Sequence, residues 1–139
     1  MTEAVKGPSD LSARLETLGE HVGQVPGVVF GYLFGSAASD RMGPLSDVDV
    51  AVYLDYSVDP FETKLAILDR VSKHLETDRL DLVVLNDAPL ALAGRVLANR
   101  RVIVDHDPFA RHQYESMIIR EFADFRLVER RHFRRRSRG

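Results

Sequence analysis

A chain of 139 residues with 45% apolar content is long enough for one compact core and too short for two ordinary domains, so a single domain over residues 1–139 is predicted. The absence of cysteine excludes a disulfide framework and a thiolate zinc site, leaving carboxylates as the main candidates for holding a metal. The net charge of −2 conceals segregation: residues 126–139 carry seven arginines against one glutamate, a local +6 that leaves −8 on residues 1–125.

The first ten residues, MTEAVKGPSD, lack the apolar core of a signal peptide, and no apolar run approaches the roughly 20 residues that span a bilayer. A soluble, cytoplasmic protein without membrane contact is the expectation. Residues 10–22 place Leu11, Leu15, Leu18 and Val22 on one helical stripe, with Ser9 or Asp10 available as cap. After Pro26 and Gly27, the run VVFGYLF reads as a buried strand ending at Gly35, and VDVAVYL at 48–54 as the next. Asp59, Pro60 and Glu62 supply an N-cap, a first-turn proline and a capping-box acid for a helix to about Glu76, with an apolar face of Phe61, Leu65, Leu68, Val71 and Leu75. Residues 79–86 read as a strand, 87–99 as a capped short helix and 101–104 as a further strand. Asp107 and Pro108 open a last helix to about Arg131, with 133–139 as a flexible basic tail. No internal repeat occurs. The order predicts an α/β domain around one mixed sheet.

The stretch FGSAASDRMGPLSDVDVAVYL carries the chemistry. Gly35 and Ser36 are followed, after ten residues, by Asp47 and Asp49, the pattern GSx10DxD. Glycine lets backbone N–H groups approach a phosphate where a side chain would block them, and Ser36 adds a hydroxyl donor. A short helix starting there would turn its positive end to the same phosphates. Asp47 and Asp49, two apart on a strand, share one face and can converge on a hard divalent cation; their mutual repulsion makes the pair costly without one. Asp81 is an acid in the otherwise apolar strand RLDLVVL and a third candidate, as second-cation ligand or general base. Two magnesium ions are thus expected, with attack on the α-phosphorus of a nucleoside triphosphate as the reaction. Ser46, beside Asp47, is placed either on a phosphate or in the turn.

GSx10DxD with a later strand aspartate resembles the polymerase-beta nucleotidyltransferase superfamily, and the chain length resembles its minimal members (MNT). The stretch RLDLVVLNDAPLALAGRVLANRRVIV and the helix around Tyr114, Glu115 and Asp124 are similar to MntA antitoxins, which are paired with HEPN ribonuclease toxins. The resemblance spans about residues 28–132. It implies a polymerase-beta-type fold, a mixed sheet of about four strands flanked by helices, and transfer of AMP from ATP to a tyrosine hydroxyl of a HEPN partner, silencing it. It further implies that Gly35 and Ser36 hold phosphates, Asp47 and Asp49 metals, and that Asp81 fills the third acidic role. Many relatives have arginine or threonine, then glycine, where this chain has Ser39 and Asp40; Arg41 is the nearest replacement charge.

Blander readings stand beside these. GS alone marks an ordinary turn, DxD alone a solvated strand, and Asp81 alone an edge-strand acid. His74, His106 and His112 lack metal-ligand spacing, and Asp107 before Pro108 reads as a helix cap. Met117, Ile118, Phe122 and Phe125 read as core or as a seam for a partner helix, giving a possible hetero-oligomer. No direct nucleic-acid contact is expected, although the basic end leaves it open. The alternatives in function are an antitoxin acting by binding alone and nucleotidyl transfer to a small molecule.

Overall fold

The computed structural model of the protein describes residues 13–38 and 47–138, with side chains through residue 125 except that of Ala37. Helical residues 13–16 are followed by a turn at Thr17 and helix α1, Leu18–Gly23. The expected stripe survives this break, since Leu15, Leu18 and Val22 are all buried. Ser9, Asp10 and Leu11 lie outside the described residues.

Strand β1 spans Val28–Phe34 and β2 spans Val48–Leu54. Helix α2 spans Pro60–Leu75, β3 Leu80–Val84, α3 Leu90–Ala98, β4 Arg100–Asp105 and α4 Pro108–Arg138. The sheet order is β3-β2-β1-β4. β1 pairs antiparallel with both β2 and β4, whereas β2 and β3 are parallel. A parallel pair needs a crossover, and α2 provides it. This is the mixed four-stranded sheet flanked by helices of the polymerase-beta-type fold.

Helices cover both faces, so β1 and β2 are buried along almost their whole length. Val48, Val50, Val52 and Leu54 pack with Leu82 against α1 and α2, through Leu18, Val22, Ile67, Val71 and Leu75. The opposite face gathers Phe30, Tyr32, Phe34 and Ala51 against Ala93, Val96 and Leu97 of α3 and Tyr114 and Ile118 of α4. A register shift between Val28 and Phe30 exchanges the faces of β1.

Asp59 caps α2 as expected, accepting from the backbone N–H of Phe61 at 2.9 Å and Glu62 at 3.0 Å. The predicted apolar face of this helix needs correction. The buried row is Thr63, Ile67, Val71 and Leu75, while Phe61 and Leu65 stand 68% and 50% exposed. Four-residue spacing makes 63-67-71-75 one ridge; Phe61 and Leu65 belong to the adjoining row, which turns away from the sheet.

Helix α3 begins later than the sequence suggests. Leu85–Asp87 form a single 3-10 turn, and Ala88 is extended at φ −69°, ψ 138°, as a residue before proline prefers. Pro89 then stands at the N-cap. The side chain of Asn86 closes the end of β2 instead, accepting from Leu54 N–H at 2.8 Å and donating to Leu54 O at 2.7 Å.

In α4, Asp107 caps through Ala110 N–H at 3.1 Å, and the helix continues past Arg131 to Arg138. Ile118 is buried, but Met117 and Phe125 are about half exposed. Of the four-residue apolar stripe, Ile118 and Phe122 face inward. A Cβ on Gly94 of α3 would strike the ring of Phe122, so glycine here is what lets the two helices close.

Four charged groups lock α4 to the sheet. Glu115, almost fully buried, accepts a hydrogen bond from the Tyr32 hydroxyl at 2.8 Å and from Arg111 at 3.1 Å. Arg100 of β4 pairs with it at 3.3 Å, and Arg111 also forks onto Asp105 at 3.0 and 3.1 Å. Two acids face two guanidinium groups, leaving the cluster neutral.

Candidate functional site

Because β1 is antiparallel to β2 while β3 is parallel to it, the end of β1 and the beginnings of β2 and β3 meet at one end of the sheet. In register, Phe34 faces Asp49, and Asp49 faces Asp81. Neighbouring strands lie about 4.8 Å apart, so Gly35, Asp49 and Asp81 form a row across three strands. Asp47, immediately before β2 and two residues from Asp49, shares its side. Strand parity places all three aspartates on the α3/α4 face, since Ala51 and Val83 pack there.

Gly35 has φ +64°, and a Cβ added to it would lie 2.6 Å from Asp49 Oδ2. Two independent requirements therefore select glycine: the left-handed backbone and the close approach of a carboxylate. The chain continues as a 3-10 turn, Gly35–Ala38, with Ser36 at its second residue; it is one turn and not a full helix. Ser39, Asp40, Arg41 and Ser46 lie outside the described residues. Gly35→Ala is expected to destabilise the protein by about 1–2 kcal/mol. It should also displace the Asp49 carboxylate, and a thermal melt should register the change; an unchanged melt would remove the close-approach argument.

Asp49 is half-buried, and its pKa is raised above the usual aspartate value of 3.8 by burial first, then by the charges of Asp81 and Asp47. Arg95 of α3 works in the opposite direction. Two carboxylates whose charges disfavour the ionisation of a third between them make a donor set suited to a hard divalent cation, which relieves that repulsion. Among the described residues no three acidic, histidine or cysteine side chains are already gathered as a closed metal cage. The three aspartates are a spaced row, open on the solvent side where Asp47 and Asp81 are exposed.

Two residues at this end escaped the sequence reading. Asn99, just past α3, donates from Nδ2 to Gly35 O at 2.9 Å, and Arg95 lies one helical turn earlier. Their only signal is a cation within the apolar run LALAGRVLA. The histidines serve other purposes. His74 Nε2 lies 2.8 Å from Arg14 O and 3.0 Å from Thr17 Oγ1 and its ring stacks on His21, while His106 Nε2 lies 2.9 Å from Gly23 O. His112 approaches Glu115 no closer than 3.9 Å.

A glycine turn leaving one strand, facing acids on the next two, is the architecture of a nucleotidyltransferase fold. The family described as "Polymerase beta, Nucleotidyltransferase" matches residues 16–109, well over half of the chain, and the protein belongs to it. Among solved structures, the chain is similar to a toxin–antitoxin structure with AMP-PNP, at 19% identity and TM-score 0.66, covering 94% of this chain and 98% of the other. It is also similar to a chain of the tri-AMPylated Shewanella oneidensis HEPN toxin in complex with MNT antitoxin, at 17% identity and TM-score 0.62, with 96% and 100% covered. A third similar structure, the MntA–HepT toxin–antitoxin, has 18% identity and TM-score 0.58, with 95% and 97% covered. At these identities the likeness is one of fold. No sequence among curated proteins matches. Among the described residues, no helix is long and apolar enough to cross a membrane.

Proposed function

We propose that the protein transfers AMP from ATP to a hydroxyl, a tyrosine, of a HEPN ribonuclease toxin and thereby acts as its antitoxin. The observation that carries this reading is the row formed by Gly35, Asp49 and Asp81, with Asp47 on the same face. The similarity to an AMP-PNP-containing toxin–antitoxin structure and to a complex with an AMPylated HEPN toxin supports it.

In this reading the backbone at Gly35 and the Ser36 hydroxyl receive the phosphates, with Ser46 in the same role. The acceptor oxygen bonds to the α-phosphorus; the bond from that phosphorus to the β-bridging oxygen breaks, and pyrophosphate leaves with the electron pair. The acceptor proton passes to a base, for which Asp81, exposed at the start of β3, is the candidate. Asp47 and Asp49 would hold Mg2+, and Asp81 would either bind a second ion or act as that base; the metal would supply neutralisation of the phosphate charge. The protein's share is positioning and electrostatics.

The test mixes the purified protein with ATP, magnesium and the protein encoded beside it, and records the intact mass of both chains, with Asp47→Asn as control. Partner mass raised by whole AMP units, absent with the variant, is the expected result. Two chains that co-purify with unchanged mass would replace transfer by neutralisation through contact alone. Mass added to a small molecule instead would move the acceptor.

A further inference from the structure

The C-terminal turn of α3 is held against the glycine turn. Asn99 bonds Gly35 O, and α3 is fixed on its inner side by buried Ala93, Gly94, Val96 and Leu97. Residues four apart share a helix face. Arg95 therefore lies one turn back from Asn99 on the side that looks toward Gly35 and Asp49, and it is exposed. Among the described residues its guanidinium makes no hydrogen bond and no ion pair. Other arginines close in sequence are committed: Arg100 to Glu115 and to Leu97 O, Arg101 to Glu16 and Arg111 to Asp105 and Glu115.

We propose that Arg95 contacts the polyphosphate of the bound nucleoside triphosphate, which makes the C-terminal turn of α3 a third wall of the nucleotide site. The proposal rests on the reading of this site as a nucleotide site. A guanidinium presents a planar fork of donors suited to phosphate oxygens, and here it is not already spent on a carboxylate. The acidic row calls for a cation beside a substrate that brings several negative charges of its own, and Arg95 is placed to be that cation. Its simplest competing role is to favour the end of α3 as a positive charge near the helix C-terminus.

The two roles separate by experiment. ATP affinity would be measured by calorimetry with magnesium on the full chain, beside the melting temperature, for wild type, Arg95→Ala and Arg95→Lys. Loss of a charge-assisted contact predicts about 10- to 100-fold weaker ATP binding by Arg95→Ala. Partial recovery should follow with lysine, which keeps the charge but not the fork, and melting should stay within about 2 °C of wild type. ATP affinity unchanged in Arg95→Ala overturns the proposal. So does a loss that lysine restores in full and that tracks a fall in melting temperature, the signature of the helix-end role. A wild-type protein that binds no ATP fails earlier and differently, removing the nucleotide site itself.

Discussion

Asp49→Asn is expected to lower the proposed AMP transfer by about 10³-fold or more while raising the melting temperature of the metal-free protein. Both effects have one origin. Asp49 is half-buried beside two other carboxylates, and its pKa is raised by burial, then by Asp81 and Asp47. A carboxyl whose folded pKa lies above its unfolded one is penalised when ionised. That penalty is present in full above the folded pKa and disappears as pH falls to the unfolded value near 3.8. Asparagine removes it at neutral pH. Solvent screening of this partly exposed group holds the gain to about 0.5–1 kcal/mol, or ~2–4 °C. The advantage over wild type should shrink as pH falls from 7.5 toward 4. Magnesium should raise the melting temperature of wild type and leave the variant nearly unmoved, because only a folded site that binds is stabilised by its ligand. Thermal melts in chelator and in magnesium, paired with the mass assay, read all of this. A variant that melts below wild type in chelator would mean that Asp49 contributes to packing and is not held under electrostatic strain.

Parts of this site are written in local sequence and parts only in long-range pairing. The limits of β1 and β2 follow from Val28–Phe34 and Val48–Leu54, apolar runs, the second broken only by Asp49, bounded by glycine and aspartate. Once those strands are drawn, two-residue periodicity places Asp47 beside Asp49, and an isolated acid marks Asp81. Their alignment in one row depends on the β2–β3 register, which no local pattern specifies. The orientation of α2 is a clearer case. Its sequence holds two overlapping apolar rows, and the crossover geometry, not hydrophobicity, buries Thr63 and Ile67 in preference to Phe61 and Leu65. Arg95 and Asn99 reach the site because β4 pairs with β1 and sets Arg100 opposite Phe34. Seen locally, Arg95 is one charge on a short helix. Glu115 misleads in the same way: a glutamate in a charged helix suggests solvent, and only Tyr32 of β1 and Arg100 of β4, joining Arg111 of the same helix, explain its burial.

Glu115→Ala is accordingly expected to be the most destabilising single substitution outside the apolar core. It removes the acceptor of the Tyr32 hydroxyl at 2.8 Å and the counter-charge of Arg111 at 3.1 Å and Arg100 at 3.3 Å. Breaking one partner of a buried ion network costs about 3–5 kcal/mol, because the remaining charges stay buried without compensation. That corresponds to a fall of ~10–15 °C for a domain of this size. Asp105 still holds one side of Arg111, which favours the lower half of that range. Glu115→Gln keeps an acceptor for Tyr32 while losing the charge, and should cost about half as much. The Tyr32 hydroxyl gives a second readout. Its pKa is raised well above the ordinary 10.0 by burial first and by Glu115 next, so the unfolded chain ionises first and stability falls as pH rises above 10. Chemical denaturation at pH 7.5 and pH 10.5 would measure both quantities. A loss under about 1 kcal/mol would show that α4 is held by Ile118 and Tyr114 packing alone, with the charged network contributing orientation and little stability.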